Sequence, residues 1–109
     1  MAREDTYLLR LMSYCTKEFV CSAVSVTSSA AVFTSQLSGD NERKLLLAYN
    51  NTDPSISGDV YYGHSASVSS SNGRVIPKGA DVEIPIDDGL DVYFVVASGT
   101  HDLRVFEGA

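Results

Sequence analysis

Short apolar runs alternate at close intervals with turn-forming residues over most of this chain, from residue 43 to residue 107. In one run, Val82, Ile84 and Ile86 occupy every second position, which is the period of a half-buried β-strand. No helical pattern separates the runs, so parallel βαβ units are excluded. We therefore predict an all-β fold, a small antiparallel β-sandwich or jelly-roll-like barrel of about seven strands.

Individual strands are expected where apolar and β-branched residues cluster between turn signals. They are placed at 24–27, 31–34, 44–50, 59–63, 81–86, 91–97 and 103–105. The run at 44–50 is apolar on both faces, which is typical of a central strand. The serine-rich stretch 64–71 is expected to be extended, with a tight turn at Asn72-Gly73 and a type I turn beginning at Ile76.

The N-terminal residues have a different pattern, in which apolar side chains recur every fourth position. These are Tyr7, Leu11, Cys15 and Phe19, with Leu8 and Met12 beside them. The stripe predicts a short α-helix near residues 5–18, so we divide the chain into an N-terminal arm, 1–19, and a β-sandwich domain, 20–109. A helix this short needs a packing partner, either an opening of its own domain or a neighbouring subunit. The candidate interface residues in this arm are Tyr7, Leu8, Leu11 and Met12.

Size and charge exclude several classes of protein. The 109 residues suffice for one domain with its own core. A formal charge of −6, with only eight scattered Lys and Arg, argues against a nucleic-acid partner. No apolar run approaches the ~20 residues that span a bilayer, and charges interrupt the N-terminal apolar positions. We expect no membrane segment and no secretory signal, and therefore folding in the cytoplasm where the chain is made.

No group of residues has the spacing of a catalytic or metal site. His64 and His101 lack a second ligand at zinc spacing, and Cys15 and Cys21 are too far apart for a C-x-x-C motif. The chain contains no G-x-S-x-G elbow, P-loop, dinucleotide fingerprint or EF-hand loop. We predict a protein that is not an enzyme and that uses neither cofactor nor metal.

Tyr61 and Phe106, both in the β-domain, are further candidates for an interface. Tyr61 and Tyr62 must point to opposite faces of their strand, so one of them is expected to be exposed. Phe106 is out of phase with Leu103 and Val105 and falls on the polar face of the closing strand, where an aromatic ring suits an intersubunit contact.

The order of strands and turns resembles that of small β-rich virion proteins of tailed bacteriophages. The resembling segments are Val60-Tyr61-Tyr62-Gly63, Ser71-Asn72-Gly73, Ile76-Pro77 with Gly79, Val92-Tyr93, Ala97-Ser98-Gly99-Thr100 and Leu103-Arg104-Val105-Phe106-Glu107. They cover about half of the chain and do not include the predicted helix. The resemblance implies a capsid decoration, fibre-base or head–tail junction protein that acts without a cofactor.

Our leading hypothesis is a capsid decoration or cement protein, located in the virion and made in the bacterial host cytoplasm. It would self-associate, with a trimer as the preferred oligomer, and bind the major capsid protein or another virion protein. The helix and an edge strand would make these contacts. The alternative is a carbohydrate-binding or host-attachment module of a tail or fibre, which would use Tyr61 or Tyr62 and the loops at 50–51 and 69–72.

Overall fold

A computed structural model describes residues 18–37, 45–52, 58–84 and 90–109, and within these ranges the chain forms strands, turns and extended connections. The strands are β1 (Phe19–Val26), β2 (Ala31–Val32), β3 (Leu45–Asn50), β4 (Val60–Gly63), β5 (Arg74–Ile76), β6 (Asp81–Ile84), β7 (Tyr93–Val96) and β8 (His101–Gly108). The prediction of an all-β chain is confirmed. The helix predicted near residues 5–18 lies outside the described residues except at its last position. Glu18 is not helical but exchanges backbone hydrogen bonds with Ala109 (3.2 and 2.9 Å).

The strands form two antiparallel four-stranded sheets that pack as a sandwich. Sheet I has the order β1-β8-β3-β6, and sheet II has the order β2-β7-β4-β5. The sequence positions are therefore nested: β1 lies beside β8, β2 beside β7, β3 beside β6 and β4 beside β5, with successive pairs in alternate sheets. This arrangement is one long hairpin wrapped around itself, which is the topology of a jelly roll.

The core lies between the two sheets and is built from alternate residues of nearly every strand. Its buried members are Val26, Phe33, Leu46, Ala48, Val60, Ile76, Val92, Phe94, Val96, Leu103 and Val105. Phe94 is central, since the rings of Phe33 and Tyr62 both lie 6.4 Å from its own. Because each sheet contributes one face to this core, the opposite face of each sheet is turned outward.

A buried polar contact joins the two sheets at one end of the core. The side chain of Asn50, on β3, is completely buried, and its Nδ2 donates a hydrogen bond to the carbonyl oxygen of Ile76 on β5 (2.8 Å). Its Oδ1 accepts hydrogen bonds from the Thr52 hydroxyl and, at 3.2 Å, from the Thr52 amide. The backbone of Asn50 also bonds the β5–β6 turn, through Gly79 N and Ala80 O. Asn50 therefore fixes the turn that carries the chain from sheet II to sheet I.

Three predicted local structures differ from those in the structure. The serine-rich stretch is a series of turns between β4 and β5, because the side chains of Ser65, Ser69 and Asn72 hydrogen-bond nearby backbone amides and compete with a sheet ladder. The chain does turn here, with the Asn72 and Gly73 amides donating to Ser69 O, but neither residue has a positive φ, so the turn is centred on Ser70-Ser71 and not on Asn72-Gly73. The next turn begins at Pro77, whose carbonyl accepts from Ala80 N, and Gly79 at its third position has a φ of 80°. A positive φ at the third position is the requirement of a type II turn, not type I.

Candidate interaction surface

The outer face of sheet I carries apolar side chains on β1, β3 and β8 and acidic side chains on the edge strand β6, and sheet II lies on the opposite side. Strand alternation turns Phe19 and Cys21 of β1, Leu47 and Tyr49 of β3, and Phe106 of β8 away from the core. Phe19 and Tyr49 are each 40% exposed. Large apolar side chains left exposed side by side in this way mark a binding surface more often than an inert one.

The side chains on this face are arranged in rows that cross the strands, and the rows change from apolar to charged. Cys21, Phe106 and Leu47 are register partners in one row, and the Phe106 ring lies 5.5 Å from that of Phe19. Leu45 packs against Leu47 and Phe106 at the same end of the sheet. Neighbouring aromatic and aliphatic side chains at cross-strand distance stabilise one another, so this end forms a satellite apolar cluster.

The next row along the strands is polar at its centre. It contains Ala23, Arg104, Tyr49 and Asp81 in register order. Between the two rows lies an open groove of about 600 Å³, whose walls are mostly apolar. The groove is open on the β1 side because the side chains there, Cys21 and Ala23, are small. The larger Leu47 and Tyr49 on β3 form the opposite wall. The groove is shallow and open to solvent, which suits a protein segment better than an enclosed small molecule.

An ion pair closes the charged end of the same face. Arg104 Nη2 lies 2.9 Å from Asp102 Oδ2, and Asn51 Nδ2 donates to that same oxygen at 2.8 Å. The hydrogen bond from Arg104, followed by that from Asn51, lowers the pKa of Asp102 from its ordinary value. The pKa of Arg104 is raised by the same pair, because the carboxylate favours the charged guanidinium. The surface therefore carries a fixed pair of charges beside its apolar groove.

The outer face of sheet II is also apolar. Tyr61 is the register partner of both Val95 and Val75, and these three form a row across β7, β4 and β5. Val95 is almost fully buried, Tyr61 is half-buried, and Val75 is 45% exposed. Val32 of β2, 44% exposed beside Tyr93, extends the apolar area towards the other edge. Both broad surfaces of the sandwich thus expose apolar side chains.

The two described residues that the sequence predicted as interface candidates lie on opposite faces of the sandwich. Phe106 lies on the outer face of sheet I, as its phase in the strand indicated, whereas Tyr61 lies on the outer face of sheet II. Tyr62 points the other way and packs on Phe94 in the core. The arm candidates lie outside the described residues; they are Tyr7, Leu8, Leu11 and Met12.

Sequence reasoning missed much of the sheet I face. Phe19 was assigned to the arm, but it begins β1, and the alternation of Phe19, Cys21 and Ala23 is the signal that could have placed it on a strand. Leu47 and Tyr49 were hidden in a run that is apolar at nearly every position, so their outward direction could not be distinguished from burial. The pairing of Leu47 with Phe106, and of Tyr49 with Arg104, shows that both side chains face outward.

The two histidines and the sequon asparagine, which could in principle carry chemistry, are not grouped into a site. His101 is buried at one end of the core, where its Nδ1 has no hydrogen-bond partner among the described residues, and His64 lies exposed in the turn after β4. Asn50, which stands in a glycosylation sequon, is buried and bonded to Ile76. Across the described ranges, no three His, Cys, Asp or Glu side chains are gathered in a way that could hold a metal ion. In the same ranges there is no helix of the length and hydropathy that crossing a membrane requires.

No protein-family model matches the chain, and no curated protein matches it either. The features of this chain that bear on function are therefore its two outer faces and its topology.

Proposed function

We propose that this chain is a non-enzymatic structural protein of a tailed-bacteriophage virion, a capsid decoration or cement protein. In this role it self-associates and binds the major capsid protein, after synthesis in the bacterial host cytoplasm. The observation that carries the proposal is the exposure of large apolar side chains on both outer faces of the sandwich, where Phe19, Tyr49, Val32 and Val75 are all 40% exposed or more.

Burial of these side chains against partners is favourable enough to drive assembly. Removing a Val, Leu or Phe side chain from water contributes about 1.5–3 kcal/mol. Two such faces on opposite sides of one domain allow each copy to hold two neighbours at once, for example another copy and the shell. In a symmetric particle the same contact is repeated many times, so that a modest single affinity becomes a durable attachment.

The topology is compatible with this role by analogy. Jelly rolls are used by viral capsid subunits and by lectins, which are both binding proteins. A shared fold does not define a function, so the topology supports the proposal only together with the apolar faces and the resemblance of 60–107 to phage virion proteins.

Intact particles from the source lysate test the proposal directly. We expect the chain to co-purify with particles and to occupy density of its size in a cryo-electron map. In a binding assay with particles that lack the chain, Val75→Asp on sheet II and Leu47→Asp on sheet I should each sediment with particles less than wild type. Thr100→Asp, in the exposed β7–β8 turn, is the matched control and should bind as wild type does. A monomeric wild-type protein that never sediments with particles would refute the proposal.

A carbohydrate-binding or host-attachment role is the second candidate, and one feature of sheet II favours it. Tyr61 is half-buried on the outer face, and the turn of residues 69–73 lies against it, since a Cβ on Gly73 would stand 2.9 Å from the Tyr61 Cβ. An aromatic ring beside polar turn residues is a common arrangement for stacking on a sugar. Titration with host polysaccharide should then show binding that Tyr61→Ala removes and Tyr49→Ala leaves intact. If wild type does not bind, this candidate is excluded.

A further inference from the structure

We propose that the N-terminal segment before β1 docks in the groove on sheet I of a second copy, so that the subunits exchange arms. The segment consists of residues 1–17 and is called the arm from here on. The inference names the partner of one apolar face, and it rests on the self-association that the proposed function includes.

The groove has the dimensions and polarity that such an arm needs. The groove runs across the strands, from Ala23 on β1 to Asp81 on β6, which is about 14 Å at the spacing of neighbouring strands. In the arm, a helix would place Tyr7, Leu11 and Cys15 on one stripe, about 12 Å from first to last. The lengths match, and an apolar stripe on a helix too short to be stable alone requires a surface of this kind.

The arm is attached beside the apolar end of this face. Glu18 is already paired with Ala109 through backbone hydrogen bonds in both directions, and Phe19 directly contacts Phe106. The arm therefore leaves the sheet within one residue of the apolar cluster, which places it close to any copy that packs against this face.

The direction of the chain at Glu18 favours a neighbouring copy over the arm's own sheet. Because the pairing of β1 with the end of β8 continues to Glu18, the chain leaves along the strand axis and away from its own groove. To return, it would have to reverse within the few residues before Glu18. Positions 14–18 contain none of Gly, Pro, Asn, Asp and Ser, the residues that dominate tight turns. A short connection that resists reversal is the usual condition for exchange of a segment between subunits.

Cysteine crosslinking between differently labelled copies tests the exchange. All variants carry Cys15→Ser and Cys21→Ser, so that only the introduced thiols react. One chain carries Leu11→Cys in the arm and the other Leu47→Cys in the groove, and the two are co-expressed and oxidised. We expect a covalent heterodimer whose crosslinked peptides are identified by mass spectrometry. Replacing Leu47→Cys with Val75→Cys, a more exposed position on the opposite sheet, should give at least about tenfold less product.

The other outcomes overturn the inference in distinguishable ways. If Leu11→Cys and Leu47→Cys crosslink only when both are in one chain, the arm covers its own sheet. If neither arrangement crosslinks, or if the Val75→Cys control reacts equally, the groove is not the arm's site. As a second measurement, Leu47→Asp should raise the dissociation constant of the oligomer by at least about tenfold in sedimentation, with an unchanged circular dichroism spectrum. Failure to bind particles with the crosslink intact would reject the virion role and leave the exchange standing.

Discussion

Replacement of Asn50 by alanine should cost far more stability than replacement of its neighbour Asn51. The Asn50 side chain is completely buried and holds three groups: the Ile76 carbonyl, the Thr52 amide and the Thr52 hydroxyl. Among the described residues, the side-chain amide of Asn51 makes one hydrogen bond, to the carboxylate of Asp102 at the surface. The pair therefore compares a buried polar contact between the sheets with a surface contact made by the same type of side chain.

The magnitude follows from the groups that lose a partner. A buried donor or acceptor left without a hydrogen bond costs about 1–3 kcal/mol. With three such groups, and with a water able to enter the vacated space, the lower end of the range gives a loss of about 3 kcal/mol for Asn50→Ala. Domains of this size are stable by about 5–15 kcal/mol and lose about 4 °C in Tm for each kcal/mol, so Tm should fall by about 12 °C. Loss of the exposed contact of Asn51 should cost less than about 1 kcal/mol.

Thermal and urea unfolding provide the measurement. The chain contains six tyrosines and no tryptophan, so the transition can be followed by tyrosine absorbance and by far-UV circular dichroism. Agreement of the two probes establishes a two-state transition before free energies are compared. The reasoning is refuted if Asn50→Ala loses no more stability than Asn51→Ala, because the contact between the sheets would then contribute nothing measurable.

Two further predictions concern charge and backbone. The pKa of Asp102 is lowered chiefly by Arg104, so its carboxylate stabilises the fold above the unfolded-state pKa of about 4, and this contribution is lost as the pH falls through the lower folded-state value. The urea midpoint of wild type should therefore fall more steeply below about pH 5 than that of Asp102→Asn; parallel curves would contradict this. Gly58→Ala should lower Tm more than Gly99→Ala. Both glycines have a positive φ, so both substitutions strain the backbone, but a Cβ at Gly58 would also lie 2.5 Å from the His101 ring, whereas one at Gly99 would meet no neighbouring atom. Equal losses at the two glycines, measured by calorimetry, would show that the His101 contact relaxes without cost.

The sequence was sufficient to predict strands whose pattern is set locally. The alternation at 81–84 correctly indicated a strand with one apolar face, and β6 lies at the edge of its sheet. The run at 93–96 is a strand as expected. The stretch 64–71 was predicted to be extended, but it forms turns, because the side-chain hydrogen bonds of serine and asparagine favour turns and here join residues three to five positions apart.

The pairing of the strands could not be predicted, because it is a property of distant segments. The first and last strands, β1 and β8, are neighbours in sheet I, and no local pattern in either identifies the other. Phe106 is an instructive exception, since its phase against Leu103 and Val105 placed it on the outer face without any knowledge of the pairing.

The run Leu45–Asn50 shows how a pattern that is ambiguous alone becomes informative once the architecture is known. A strand that is apolar on both faces was interpreted as buried on both, which is correct in sheets covered on two sides. In a two-sheet sandwich, each sheet can cover only one face of the other. Leu46 and Ala48 fill the core, so the outward positions of Leu47 and Tyr49 require a partner from outside the sandwich or remain in contact with water. An all-β sequence with such a run and no third layer therefore predicts an external partner for that strand, and the apolar groove beside Phe106 is where this partner should bind.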